Sequence, residues 1–267
     1  MIRPVLCAVA GLSALLYAGA RPDVAASQAA RPASCPLDGD FWAAHVAPAA
    51  RVEVLLAAAN TVPVPQRPLY ARMATAAVDC APAGARVDLY PITDVGVGRA
   101  PVFSALAPNP TSNELLNQRE REGFVATGRA RVDDVIGARR TFEGSDPLGT
   151  LYAAGEAIHR APPRGRVLVI VIANGWQQTR EVNLFRYNDD PSKHAGEVVT
   201  RLRADGAMPD LRGTDVAFAG VTRGDSRMKM GYREVIGLRR FWEAIVRAAG
   251  GAVVSFDEVL PGLVTPV

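Results

Sequence analysis

The chain has 267 residues, of which 49% are hydrophobic and 21% charged. That is enough apolar material for a buried core, and too even a spread of it for a disordered chain. The net charge of +3 comes from basic and acidic residues that interleave, as in Arg119-Glu120-Arg121-Glu122. This reads as a solvated helix face and excludes a nucleic-acid patch.

Met1-Ile2-Arg3-Pro4 gives a positive start, and Val5 to Ala20 is an uncharged apolar run ending in Ala18-Gly19-Ala20. The run is about 16 residues, short of the roughly 20 that span a bilayer. The pattern is that of a cleaved secretory signal, with small residues where a signal peptidase cuts. The expected location is therefore periplasmic or extracellular, with no membrane span after signal removal. The richness in Arg, Ala, Gly and Pro reads as GC-rich, bacterial coding. Cys7 leaves with the signal, so Cys35 and Cys80 form an even pair in an oxidising compartment. A Cys35–Cys80 disulfide is expected over two free buried thiols.

The expected organisation is a signal over 1–20, an Ala/Pro-rich arm over 21–50 and one α/β domain over 51–262. Within that domain, 51–58 (RVEVLLAA) reads as a buried strand. Residues 65–80 read as a helix with Pro68 in its first turn. Residues 86–93 form a strand whose Pro91 marks an edge or an end. A turn over 94–98 leads to a short return strand at 101–106. A long polar helix follows to about 139, its start marked by Thr111 and Glu114 at capping-box spacing and its pattern interrupted by Gly123 and Gly128. Ser145-Asp146-Pro147 opens another helix. Val167 to Ala173 (VLVIVIA) is the clearest strand, apolar on both faces as in a central parallel strand. A helix over 191–207, a strand over 214–221, an amphipathic helix over 232–249 and a last strand over 252–256 complete the alternation. The expected fold is a three-layer, doubly wound, mostly parallel sheet with helices on both faces. Ligands bind such sheets beyond the C-terminal strand ends, at the switch point.

The order of elements from Val52 to Phe256 resembles a von Willebrand factor A domain. The resemblance rests on the first strand VEVLL, the segment Gly144-Ser145-Asp146-Pro147-Leu148-Gly149, the strand VLVIVI with Ala173-Asn174-Gly175, and the strand TDVAFAGV. Members with an active site hold Mg²⁺ through Asp-x-Ser-x-Ser after the first strand, a Thr before the third helix and an Asp after the fourth strand. Here those positions fall on Ala57, Ala59 and Thr61, on Ser145, and on Asn174. Two hydroxyls and an amide supply little of the charge that such a cation needs. The resemblance thus implies a degenerate site with no resident metal or other cofactor. A Mg²⁺ site rebuilt from Thr61, Asp94 and Asp146 is the variant reading. The ligand-face candidates are Asn60, Thr61, Asp94, Ser145, Asp146 and Asn174. The preferred reading has Asp146 capping its helix and Asp94 closing a turn, and Asn60 and Asn174 are likewise more often turn residues than ligands.

Segment 175–190 mixes Trp176, Phe185 and Tyr187 with Arg180 and Arg186, the residue types of interface anchors. It reads either as an interface or as a lid packed over the sheet end. His45, His159 and His194 lie away from strand C-terminal ends, and there is no Gly-x-Ser-x-Gly elbow. Gly96-Val97-Gly98 lacks the rest of a phosphate-binding loop, and Arg223-Gly224-Asp225 is a chance tripeptide. No catalytic residue is assigned. The expected function is a non-catalytic, exported module that binds or scaffolds another protein. The alternative is an exported α/β hydrolase-like enzyme with an unrecognised or rebuilt cation-dependent site around Asp94, Asp146 and the 175–190 loop.

Overall fold

The structure is a computed structural model. It describes residues 31–33, 35–37, 39–58, 62–96, 100–138, 144–186, 190–221 and 231–263. The expected signal, Asn60, Thr61, Tyr187 and the tripeptide at 223–225 lie outside the described residues.

Six strands, β1 (Ala49–Ala57), β2 (Arg86–Ile92), β3 (Phe103–Leu106), β4 (Arg166–Ile172), β5 (Thr214–Ala219) and β6 (Ala252–Phe256), form one sheet. Its order is β3-β2-β1-β4-β5-β6. All neighbours are parallel except β3, which returns antiparallel beside β2. The helices are α1 (Gly39–Phe41), α2 (Arg67–Asp79), α3 (Glu114–Gly137), α4 (Pro147–Arg160), α5 (Ala195–Ala204) and α6 (Tyr232–Ala248). From β1 the chain steps to β2 on one side; from β4 it steps to β5 and β6 on the other. Right-handed crossovers then place α2 on one face and α5 and α6 on the opposite face. The switch point falls between β1 and β4.

β4 is fully buried after Arg166, as its unbroken apolar run requires. β1 begins at Ala49, two residues before the expected start, and the segment ahead of it belongs to the core. Cys35, Leu37 and Val46 are buried there. Cys35 is disulfide-bonded to Cys80 just beyond the end of α2, with Cα atoms 4.5 Å apart. Closing a loop with a sequence separation of 45 is worth about 3–4 kcal/mol in the chain-entropy account. Pro91 sits where β3 no longer runs alongside, since β3 pairs only with Arg86 to Leu89. β2 is an edge from there on, and a missing N–H is tolerated.

α3 departs from expectation in three places. Its N-cap is Asn113, whose side chain accepts from the Leu116 N–H at 3.1 Å. The Thr111 hydroxyl instead meets Asn117 Oδ1 at 2.7 Å, so the expected Thr111–Glu114 capping box is not formed. Gly123 and Gly128 do not interrupt the helix. Arg121, read as part of a solvated face, reaches the carbonyls of Asp79 and Ala81 at the C-terminal end of α2. Burial lowers its pKa, while the carbonyl end of α2 favours a cation there.

Gly128 lets α3 cross α2 closely: a Cβ at that position would lie 2.6 Å from Val78 Cγ1. A Cβ on Gly123 meets nothing within 4 Å. Gly128→Leu is therefore expected to destabilise the fold by about 2 kcal/mol or more through overpacking. Gly123→Ala should stabilise it by up to about 1 kcal/mol through helix propensity. Urea denaturation of the two variants checks both signs.

Candidate functional site

The loops that follow the C-terminal ends of β2 and β4 meet around Asp146. This residue caps α4, and Pro147 follows it in the first turn. Pro at that position loses nothing, because the first-turn N–H groups have no intrahelical acceptor. The Asp146 side chain is buried and accepts three hydrogen bonds. Oδ1 takes the Gly149 N–H at 2.9 Å and the Gln177 Nε2 at 2.7 Å. Oδ2 takes the Gly96 N–H at 2.8 Å. The Asp146 N–H donates to the Thr93 carbonyl at 2.6 Å, and its own carbonyl accepts from the Thr150 hydroxyl at 2.8 Å. One residue thus joins the loop after β2, the start of α4 and the loop after β4.

Gln177 completes this clamp. Its Oε1 accepts the Leu148 N–H at 3.0 Å, satisfying a second free donor of the α4 first turn. It is 1% exposed, so both ends of its amide are used inside the protein. Gly96 is required by space: a Cβ there would lie 2.2 Å from the Thr150 backbone nitrogen. Ser145 pairs with Gln178 through backbone hydrogen bonds of 3.2 and 2.8 Å, extending the seam by one bridge.

The remaining candidates distribute around this seam. Asp94 is half-buried at a bend on the loop that Asp146 grips through Thr93 and Gly96. Asn174 forms a local turn, its Oδ1 accepting the Trp176 N–H at 3.1 Å. Gly175 has φ +83°, and its carbonyl accepts from Trp242 Nε1 at 2.8 Å. Trp176 is buried and stacks on Phe185 with ring centroids 4.5 Å apart. These two aromatics pack down onto the strand ends, while Arg180 and Arg186 stand exposed. Within this segment the aromatic pair is packed inward and the arginines face solvent.

A buried carboxylate that accepts three N–H bonds has little lone-pair capacity left for a cation. Among the described residues no group of three or more His, Cys, Asp and Glu side chains could hold a metal ion. The histidines lie elsewhere: His45 meets Asp215 at 2.8 Å, and His159 meets Asp210 at 3.4 Å.

Sequence reasoning named Ser145, Asp146 and Asn174 and missed Gln177, Thr93, Gly96 and Thr150. The missing signal was local: Gln177 follows a strand and a turn, where a polar residue is unremarkable until its partners are known.

A second polar group lies within the sheet. Arg51, Glu53 and Asp88 are all buried. Arg51 contacts Glu53 through Nε, Asp88 Oδ2 at 2.8 Å, and the carbonyls of Ala157 and Ala161 at 3.0 and 3.2 Å. Those carbonyls belong to the C-terminal end of α4. Burial is the largest influence on Glu53 and raises its pKa to about 8, against the opposing pull of Arg51. Burial and the neighbouring carboxylates raise that of Tyr90 as well.

The strand order and layers define a doubly wound α/β domain of the von Willebrand A/Rossmann-like class. No protein-family model matches the chain, and no curated protein matches it either. Among solved structures, it is similar to the human COPII-coat protein Sec24c, at 12% identity and a TM-score of 0.39. That alignment covers 79% of this chain and 29% of the coat-protein chain.

Replacing Asp146 with Ala leaves the Gly96 and Gly149 N–H groups without an acceptor and the Gln177 amide N–H₂ with only the Thr179 hydroxyl at 3.4 Å. The expected cost is about 3 kcal/mol or more, above the ~1 kcal/mol of an ordinary cap. Asp146→Asn, which keeps one acceptor oxygen, should cost less. Chemical denaturation of the two variants checks the order.

Proposed function

We propose that the chain is an exported, non-catalytic module that binds or scaffolds another protein through its strand-end loops, without a metal ion. The observation that carries this reading is the engagement of both Asp146 oxygens by three N–H donors. The acidic residue best placed to hold a cation at the switch point is already spent on Gly96, Gly149 and Gln177. The same engagement stands against a hydrolase-like role for Asp146, since a general base needs a lone pair facing substrate. The signal-like start and the Cys35–Cys80 bridge support export, because disulfides persist in oxidising compartments. The exposed Arg180 and Arg186 beside the Trp176–Phe185 stack supply the polar rim of the proposed interface.

Calorimetric titration with Mg²⁺, Mn²⁺ and Ca²⁺ tests the metal-free half of this reading. The expected result is no saturable heat at micromolar to low millimolar cation. Micromolar binding that Asp146→Asn abolishes while the circular dichroism spectrum is retained would overturn it.

A further inference from the structure

Two buried oxygens on neighbouring strands have no hydrogen-bond partner: Glu53 Oε2 on β1 and the Tyr90 hydroxyl on β2. Glu53 pairs in register with Asp88, and Leu55 with Tyr90, so Glu53 and Tyr90 are diagonal neighbours on one face. Arg51 lies on that face too, and its guanidinium joins Glu53 and Asp88 to the carbonyl end of α4. The fully enclosed part of the cluster therefore has one cation and two carboxyl groups. The other cation, Arg86, bonds Asp88 from the rim, where its side chain is 46% exposed.

We propose that Glu53 is held as the neutral acid in the folded protein, and that its deprotonation is a pH-sensitive release built into the seat of α4. One enclosed guanidinium balances one carboxylate, and Asp88 takes that place through two arginines. A second buried anion with an unpartnered oxygen is costly, and a proton removes that cost. The groups acting on Glu53 are Arg51 on its own strand and Asp88 and Arg86 on β2, with Tyr90 as the diagonal neighbour. β4 presents Val169 in register. The ionisable side chains of α4, Tyr152, Glu156, His159 and Arg160, are all at least partly exposed.

When the proton leaves to bulk water, the new carboxylate competes with the Ala157 and Ala161 carbonyls for Arg51. The C-terminal end of α4 then loses the donor that holds it to the sheet. The sign follows from linkage. The folded-state pKa is raised from 4.5 to about 8, so the folded protein keeps a proton that the unfolded chain releases. The contribution is full below the unfolded value and is lost as pH rises towards the folded value.

The test is urea denaturation of the full chain from pH 5 to 9, wild type against Glu53→Gln. In the wild type the folding equilibrium constant should fall about tenfold or more between pH 6 and pH 8 beyond the change in the variant. The amide of Glu53→Gln imitates the neutral acid and should remove that excess slope. If the variant does not fold, the infrared carbonyl stretch of a protonated carboxyl group in the wild type at pH 7 decides the matter. Identical pH slopes in the two proteins, or the absence of that band, would overturn the proposal.

Discussion

A carboxylate inside a protein must take its stabilisation from somewhere, and at Asp146 it comes from N–H donors of three separate segments. The described parts of the loops after β2 and β4 and the start of α4 are arranged by that requirement. The Gly96 N–H can reach the carboxylate only because a side chain there would collide with the Thr150 nitrogen. Gln177 must be buried because its amide bridges Asp146 and the Leu148 N–H. The seam between Ser145 and Gln178 follows from the same approach of the two loops. The α4 N-terminus adds a favourable field for the negative charge, so cap, dipole and loop contacts act in one direction.

The opposite end of α4 mirrors this arrangement with the sign reversed. Arg51 places a guanidinium against the Ala157 and Ala161 carbonyls, where the helix presents its negative end. α4 is thus fixed between an anion at its start and a cation at its finish, both buried and both tied to the sheet. The difference lies in how well each is satisfied. Both Asp146 oxygens are engaged, whereas the cluster around Arg51 leaves Glu53 Oε2 and the Tyr90 hydroxyl unpartnered. Buried polar networks that are only partly satisfied are costly in low dielectric, which makes the Arg51 end the weaker of the two attachments.

Much of the fold was legible in the sequence because its signals are local. The unbroken run VLVIVIA demanded burial on both faces and is the central strand β4. Asp146-Pro147 spelled a capped helix start, and a capped start is what α4 has. The long-range polar contacts were not legible. Arg121 looks like a solvated residue until α2 is seen ending beside it. Glu53 looks like a polar break in a buried strand, and only the register with Asp88 shows that it belongs to a cluster. At the candidate site, Asp146 was visible as a cap, but its other donors come from positions 50 and 31 residues away. Neither spacing carries a sequence pattern.

Asp146 acts as an internal clamp on the strand-end loops, and native-state hydrogen exchange at the Gly96 and Gly149 amides measures that clamp. Both amides should be protected to a level near global unfolding, although both lie outside the sheet. Exchange of the Gly96 amide at the rate of an exposed loop would contradict the account, because it would leave the Asp146 carboxylate open to a ligand.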